Sequence, residues 1–158
     1  MSNVVVDFLY DLEGATCLEE CFSALVKAVE ALDYDGVAYT AIPQMPFTIH
    51  ASPVFLTSSG FSIGFLKHYT EANWVEDDFT VERIVQGDLR AMNWTEELQA
   101  GQLSDSQIEV ISTAHSEYGL RNAISIPTQS DKKLIAGGSI VSEQKNQSFQ
   151  ILQKENLT

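Results

Sequence analysis

The chain has 158 residues, 44% of them hydrophobic, and a formal net charge of -13 at pH 7. This length fits one domain that buries roughly 70% of the surface of its unfolded chain, so its core needs no covalent staples. The acidic surface repels phosphate backbones, which argues against direct nucleic-acid binding by this chain.

The sequence contains no recognisable targeting signal or metal-binding motif. No apolar run approaches the length of a membrane span, and the N-terminus lacks a basic region followed by a hydrophobic core. We therefore expect a cytoplasmic protein without membrane contact. Cys17 and Cys21 lack a second Cys or His cluster, so we interpret them as small buried apolar residues rather than a thiol pair or half a metal site.

Two helices open the chain. The first is indicated by the spacing of Val5, Phe8, Leu9 and Leu12. Gly14 ends it, and Thr16 begins the second helix with Glu19 as its capping-box partner. The inward stripe of the second helix is predicted to be Leu18, Cys21, Phe22, Leu25, Val29 and Leu32.

Two short strands follow the helices. Residues 37–42 alternate as a strand that Pro43 stops, and 53–57 form a second apolar strand candidate. Between them, 44–52 is predicted to be a loop, and we interpret its His50 as a solvated residue rather than a ligand.

The stretch from Gly60 to Trp94 is the most informative about function. A short helix is predicted to follow a Ser-Ser-Gly turn. One side of it carries an aromatic and apolar stripe: Phe61, Phe65, Leu66 and Tyr69. Asp77 and Asp78 follow with Thr80 behind them, and Trp94 ends the stretch. Apolar walls beside a few directed polar groups are typical of a site for a small amphiphilic ligand.

A further helix and a hairpin complete the pattern. The chain after Trp94 is predicted to be an acidic loop up to Ser104, which caps a helix with Gln107 as reciprocal partner. The buried face of this helix is predicted to be Ile108, Ile111, Ala114 and Tyr118. Gly119 stands at a left-handed cap, and we interpret His115 as a partly buried structural histidine rather than a proton shuttle.

Residues 122–127 and 134–142 are predicted to be two strands joined by a polar connection. By alternation, one face of this hairpin carries Ala123, Ser125, Gly137 and Ser139. Such small residues opposite an aromatic helix either leave room for a ligand or form a close-packed sheet face. Residues 143–158 predict a helix that is cut short.

Taken in order, these residues resemble the autoinducer-binding domain of LuxR-type quorum-sensing regulators. The matching positions are Tyr69, Asp78, Thr80, Val81, Trp94, Tyr118-Gly119-Leu120, Ser125-Ile126-Pro127 and Ser139. The resemblance implies an α/β (α+β) fold: an α/β/α sandwich with a central, mainly antiparallel sheet, helices on both faces and a PAS/GAF-like ligand pocket. It also implies that an N-acyl-homoserine lactone, or a related amphiphile, lies between the sheet and the aromatic helix.

The ligand site implied by the resemblance consists of Phe61, Phe65, Tyr69, Asp78, Thr80, Trp94, Ser125 and Ser139. Asp78 would accept a hydrogen bond from the ligand amide, and Trp94 would pack on the lactone ring. The hydroxyls near the acyl-chain oxygens would be those of Thr80, Ser125 and Ser139. The alternative for Asp78 is the N-cap of a helix that starts near Phe79, and one carboxylate can do both.

The sequence also departs from the family pattern. Phe65 stands where the family has a Trp that donates to the lactone carbonyl, and Phe61 stands where several members have a Tyr. Losing such a donor costs on the order of 1 to 3 kcal/mol, which weakens binding of a conventional lactone. Trp74 is a candidate substitute donor. Phe79 replaces the usual proline, and one extra residue separates Asp78 from Trp94.

Two functions fit these observations. The first is a ligand-sensing domain that controls transcription, with a small-molecule autoinducer and no metal or further cofactor. The second is a ligand-independent dimerisation module that inhibits full-length regulators. No helix-turn-helix pattern follows Ser142, so we expect one domain over 1–158 that forms homodimers or heterodimers with full-length regulators. No nucleophile-elbow or phosphate-loop spacing indicates an enzyme.

Overall fold

The structure, a computed structural model, describes residues 3–44 and 53–142. In these ranges the helices are α1 (Val4–Gly14), α2 (Leu18–Ala31), α3 (Ile63–Glu71), α4 (Phe79–Val85), α5 (Trp94–Ala100) and α6 (Asp105–Tyr118), with a 3-10 turn at Trp74–Glu76. The strands are β1 (Gly36–Pro43), β2 (Val54–Thr57), β3 (Met92–Asn93), β4 (Ile124–Ser130) and β5 (Leu134–Val141). The predictions made for His50 and for residues 143–158 concern positions outside the described residues.

The five strands form one antiparallel sheet in the order β2-β1-β5-β4-β3. Its register places Ser139 of β5 beside Ala38 of β1 and Ser125 of β4. Because directly paired residues of neighbouring strands project to the same side of a sheet, these three residues share one face. The predicted α+β class with an antiparallel sheet is confirmed.

Helices cover both faces of the sheet. On one face, α2 packs through Val29 against Val37, Ile124 and Ile140. On the other face, α3, α4 and α6 enclose a larger core that contains Phe65, Phe79, Ile111 and Trp94, among others. The layers are therefore those of an α/β/α sandwich, and the larger core faces the strands that carry Ser125 and Ser139.

The turn before α3 crosses the start of β1 at very short range. The amide of Ser58 donates to the carbonyl of Val37 (2.9 Å), and the Val37 amide donates to the Ser58 hydroxyl (2.9 Å). A Cβ added to Gly60 would lie 1.6 Å from the carbonyl oxygen of Asp35, and one added to Gly36 would lie 2.5 Å from the Gly60 backbone. Only glycine fits both positions, and the crossing fixes where α3 begins.

The N-terminal predictions need three corrections. Thr16 pairs through its amide and hydroxyl with Glu20 rather than Glu19, and the N-cap of α2 is Cys17. Cys17 is exposed and Cys21 is half-buried, so the interpretation of two buried cysteines is wrong. Leu18 is 61% exposed because the first turn of α2 projects beyond the sheet that its later residues cover.

The region after α4 differs most from prediction. The predicted acidic loop after Trp94 is helix α5, capped by Asn93, whose side chain accepts from the amides of Thr95 and Glu96. Arg83 of α4 and Glu97 of α5 form a bidentate ion pair that holds the two helices together. The two residues are 14 positions apart in sequence, so this contact is long-range.

Helix α6 confirms its predicted caps and most of its predicted face, with Ile108 as the exception. Ser104 and Gln107 form both hydrogen bonds of a capping box, and Gly119 is left-handed with φ 66°. The buried residues are Val110, Ile111 and Ala114, whereas Ile108 is 38% exposed. His115 is exposed, so the interpretation of a partly buried histidine is wrong.

Over the described ranges, no helix is both long and apolar enough to cross a bilayer.

Candidate functional site

A cavity lies between α3, α4 and the face of the sheet that carries Ser125 and Ser139. The structure brings all eight predicted site residues to its wall: Phe61, Phe65, Tyr69, Asp78, Thr80, Trp94, Ser125 and Ser139. These residues come from five elements, α3, α4, α5, β4 and β5, and from the turn before α3. Their convergence makes this cavity the candidate ligand site, and their roles as ligand contacts stay predictions.

The cavity is narrow. About 60 Å³ of its interior is open to the centres of water molecules. That is room for only a few water molecules, since one water needs at least roughly 10–15 Å³ on this measure. A ligand with a long acyl chain therefore requires the walls to move outward.

Asp78 is the acidic group of the cavity and also the N-cap of α4. Its Oδ1 accepts from the amide (2.8 Å) and the hydroxyl (2.6 Å) of Thr80, and its Oδ2 accepts from the Tyr69 hydroxyl (2.8 Å). A carboxylate offers about four acceptor positions, so one position remains for a ligand donor. The two interpretations of Asp78 are thus compatible in this geometry, and the capping role is observed.

Tyr69 is held in its neutral form at this site. Burial raises the pKa of its phenol well above the ordinary value, and the neighbouring charge of Asp78 and the hydrogen bond to it raise it further. The phenol therefore stays protonated at physiological pH and donates a hydrogen bond to Asp78. This bond holds the carboxylate in place at the cavity wall.

A second polar chain crosses from α5 to the sheet. The indole Nε1 of Trp94 donates to the Ser125 hydroxyl (2.9 Å), which is 3.1 Å from the Ser139 hydroxyl. Trp94 also packs edge-on against Phe79 at a ring-centroid distance of 6.3 Å. The indole is consequently fixed in orientation, with its ring available as an apolar wall.

The α3 side of the cavity is built from aromatic rings that pack against one another. Phe65 contacts Tyr69 (5.9 Å between ring centroids) and Tyr118 (5.7 Å) edge-on. Behind Phe65, His68 stacks on Trp74 at 4.4 Å, and its Nδ1 is hydrogen-bonded to the Tyr118 hydroxyl (2.9 Å). This cluster joins α3 to α6 behind the ring wall.

Trp74 lies behind this wall and is not among the described residues that line the cavity. We therefore expect Trp74→Phe to change ligand affinity by less than about twofold, since the substitution keeps the stacking surface and removes only a distant N–H. Titration calorimetry with the variant and the wild type checks this. A loss of about tenfold, the usual effect of a missing hydrogen bond, would show that the indole reaches the ligand.

Several residues of the cavity wall were not predicted from the sequence. Thr40 of β1 and Phe55 of β2 line it, and Phe55 packs edge-on against Tyr69 at 6.1 Å. The alternation of β1 carries the signal for Thr40, because Ala38, Thr40 and Ile42 share the cavity face. Phe55 carried no such signal, since β2 has only four residues.

Within the described residues, no group of three or more His, Cys, Asp or Glu side chains is arranged to hold a metal ion.

The sequence matches a known family over most of its length. The model of the family described as "Autoinducer binding domain" matches residues 18–157. No curated protein sequence matches the chain.

Solved structures share the fold at low sequence identity. The N-acylhomoserine lactone-dependent LuxR family transcription factor CepR2 from Burkholderia cenocepacia has a TM-score of 0.71 at 15% identity, with 96% of this chain and 85% of that chain covered. Escherichia coli SdiA has a TM-score of 0.65 at 17% identity, with 94% and 63% covered. SdiA in complex with octanoyl-rac-glycerol has a TM-score of 0.66 at 15% identity, with 99% and 66% covered. This chain therefore spans about two thirds of SdiA.

Proposed function

The chain belongs to the autoinducer-binding domain family of LuxR-type regulators, and on that premise we propose that its cavity binds an acylated small molecule whose occupancy controls transcription. Domains of this family are ligand-binding regulatory domains, not enzymes. The proposed ligand is an N-acyl-homoserine lactone or a related amphiphile.

One observation carries the proposal: an acceptor and apolar walls occur in the same cavity. Asp78 lies among Tyr69, Thr80 and Trp94 at the cavity wall, while the remaining lining is largely hydrocarbon and ring. Asp78 is half-buried, and a hydrogen bond from an amide N–H to such a carboxylate contributes roughly 1.5 to 3 kcal/mol. The similar structures add support, because CepR2 is N-acylhomoserine lactone-dependent and SdiA forms a complex with octanoyl-rac-glycerol.

A second candidate function is ligand-independent dimerisation that inhibits full-length regulators. It is favoured by the exposure of apolar side chains on α1, where Val5 is 63%, Leu9 56% and Tyr10 77% exposed. The narrowness of the cavity, which Phe61 and Phe65 line, is also consistent with it. In this alternative the cavity stays empty and the helices pair with a second protein.

A thermal-unfolding screen separates the two functions. The panel contains N-acyl-homoserine lactones of increasing chain length and 1-octanoyl-glycerol, each at several concentrations. Binding to the native state alone adds stability as RT ln(1 + [L]/Kd), which is about 2.7 kcal/mol at a hundredfold excess over Kd. For a domain of this size, we expect a rise in melting temperature of about 5 to 10 °C with a binding ligand.

The outcomes are distinct. A rise that grows with ligand concentration supports sensing, particularly when the Asp78→Asn variant shows a smaller rise. An unchanged melting temperature across the panel, together with a stable dimer in analytical ultracentrifugation, supports the dimerisation module instead.

A further inference from the structure

The hydrogen-bond donors on the helix side of the cavity are all engaged within the protein. The Tyr69 and Thr80 hydroxyls donate to Asp78, and the Trp94 indole donates to Ser125. The other described side chains on this side, such as Phe61 and Phe65, carry no donor. A ligand carbonyl facing the helices therefore meets no free side-chain N–H or O–H among the described residues.

The sheet side retains donors. Ser125 and Ser139 share one hydrogen bond, so one of their two hydroxyl protons remains for a ligand. The Thr40 hydroxyl lines the same side of the cavity. Polar partners for a ligand are thus divided: an acceptor on the helix side at Asp78, and donors on the sheet side.

A trans amide matches this division. Its N–H and C=O point in opposite directions because the peptide-type bond is planar. When the N–H is directed at Asp78 on α4, the acyl carbonyl points towards the sheet hydroxyls. One amide group therefore satisfies both sides of the cavity at once.

Because the Tyr69 hydroxyl lies 2.8 Å from Oδ2 of Asp78, an amide nitrogen that donates to Asp78 places its substituent beside the rings around Tyr69. Phe55 and Phe65 are the neighbours there, with ring centroids 6.1 and 5.9 Å from that of Tyr69. Both side chains are hydrocarbon, so a carbonyl placed against them loses its water and gains no donor. Such an unpaired buried carbonyl lowers affinity on the order of tenfold or more.

We infer that the ligand of this chain is a fatty acyl amide whose nitrogen carries a hydrocarbon or aromatic ring without a carbonyl group. This inference rests on the proposed function and narrows it, since the acyl amide is retained and the lactone is replaced. The ring-lined end of the cavity selects a ring of carbon atoms, and the sheet hydroxyls recognise the acyl carbonyl.

Two matched probes test the inference by titration calorimetry. N-octanoyl-homoserine lactone and N-cyclopentyloctanamide share the acyl chain, the amide and a five-membered ring, and differ in the ring carbonyl and ring oxygen. The wild type is expected to bind the cyclopentyl compound at least about tenfold more tightly. The variant Phe65→Trp adds an indole N–H at the ring wall and is expected to shrink or reverse this ratio.

Two further variants control for general hydrophobicity and for folding. Phe22→Trp adds an indole on the opposite face of the sheet, where Phe22 packs against the smaller core, and should leave the ratio unchanged. Should Phe65→Trp fail to fold, Phe61→Tyr adds a hydroxyl donor at the same wall and is expected to act in the same direction.

The results separate the inference from the function on which it rests. Equal or tighter binding of the lactone by the wild type overturns the inference and leaves the proposed function standing. A ratio that no added donor changes overturns it as well, because preference would then reflect hydrophobicity alone. If neither probe binds the wild type, the proposed function fails together with the inference.

Discussion

Replacing Asp78 with alanine is expected to weaken ligand binding by about 10- to 150-fold, the equivalent of roughly 1.5 to 3 kcal/mol for a charge-assisted hydrogen bond. The carboxylate is the one acidic group among the described residues of the cavity wall, and Tyr69 and Thr80 fix its direction. The same substitution removes the N-cap of α4, which costs about 1 kcal/mol of folding stability. Both quantities are measured on one preparation, by calorimetry and by thermal unfolding without ligand.

Asp78→Asn is the matched control that divides the two roles. Asparagine caps a helix about as well as aspartate, so the free energy of unfolding should stay close to that of the wild type. The charge is lost and one oxygen becomes an NH2 group, so the ligand amide meets a weaker acceptor. Wild-type affinity in this variant would mean that Asp78 serves α4 alone and does not contact the ligand.

Gly60→Ala is expected to lower the free energy of unfolding by on the order of 4 kcal/mol or more, or about 10 °C in melting temperature. The added Cβ would lie 1.6 Å from the Asp35 carbonyl oxygen, and backbone atoms cannot rotate away as the end of a side chain can. To relieve this clash, the turn before α3 must move away from the start of β1. Because Phe61 follows directly, that separation also displaces one wall of the cavity.

Gly14→Ala provides the control for this substitution. A Cβ at Gly14 meets nothing within 4 Å, and Gly14 is the last residue of α1. Alanine there should be neutral or stabilising by up to about 1 kcal/mol, since it restricts the unfolded chain. Similar melting temperatures for the two variants would contradict the close crossing of the turn and β1.

Features that depend on neighbours in sequence were predictable. The capping box of Ser104 and Gln107 and the left-handed Gly119 involve residues within one helical turn of a helix end, and both are confirmed. Pro43 ends β1 as expected. In each case the interaction partner lies close along the chain, so the spacing of residue types determines the outcome.

Features that depend on distant partners were not predictable. Residues 94–100 contain three charged or polar residues in sequence after the tryptophan, a composition that indicated a loop. Asn93 gives a local cap signal for α5, but the pairing of Glu97 with Arg83 of α4 and the packing of Trp94 against Phe79 are contacts that the sequence does not show. The exposure of His115 has the same origin, since the angle at which α6 meets the core decides which of its residues are covered.

The candidate site was predictable as a set of residues but not as a network. Alternation placed Ser125 and Ser139 on one face, and the register of the sheet confirms it. That Trp94 donates to Ser125, and that Tyr69 and Thr80 both donate to Asp78, follows only from the packing of α3, α4 and α5 against the sheet. Those engaged donors are the basis for the ligand class inferred above.

The most direct test of the ligand site is an isotope-filtered nuclear Overhauser experiment on labelled protein with the unlabelled N-octanoyl amide that binds most tightly. Acyl-chain and amide protons are expected to contact the rings of Phe65, Tyr69 and Trp94 and the backbone of Gly137, all of which line the cavity. Contacts confined to the exposed face of α1, with none to these four residues, would contradict ligand binding between α3 and the sheet.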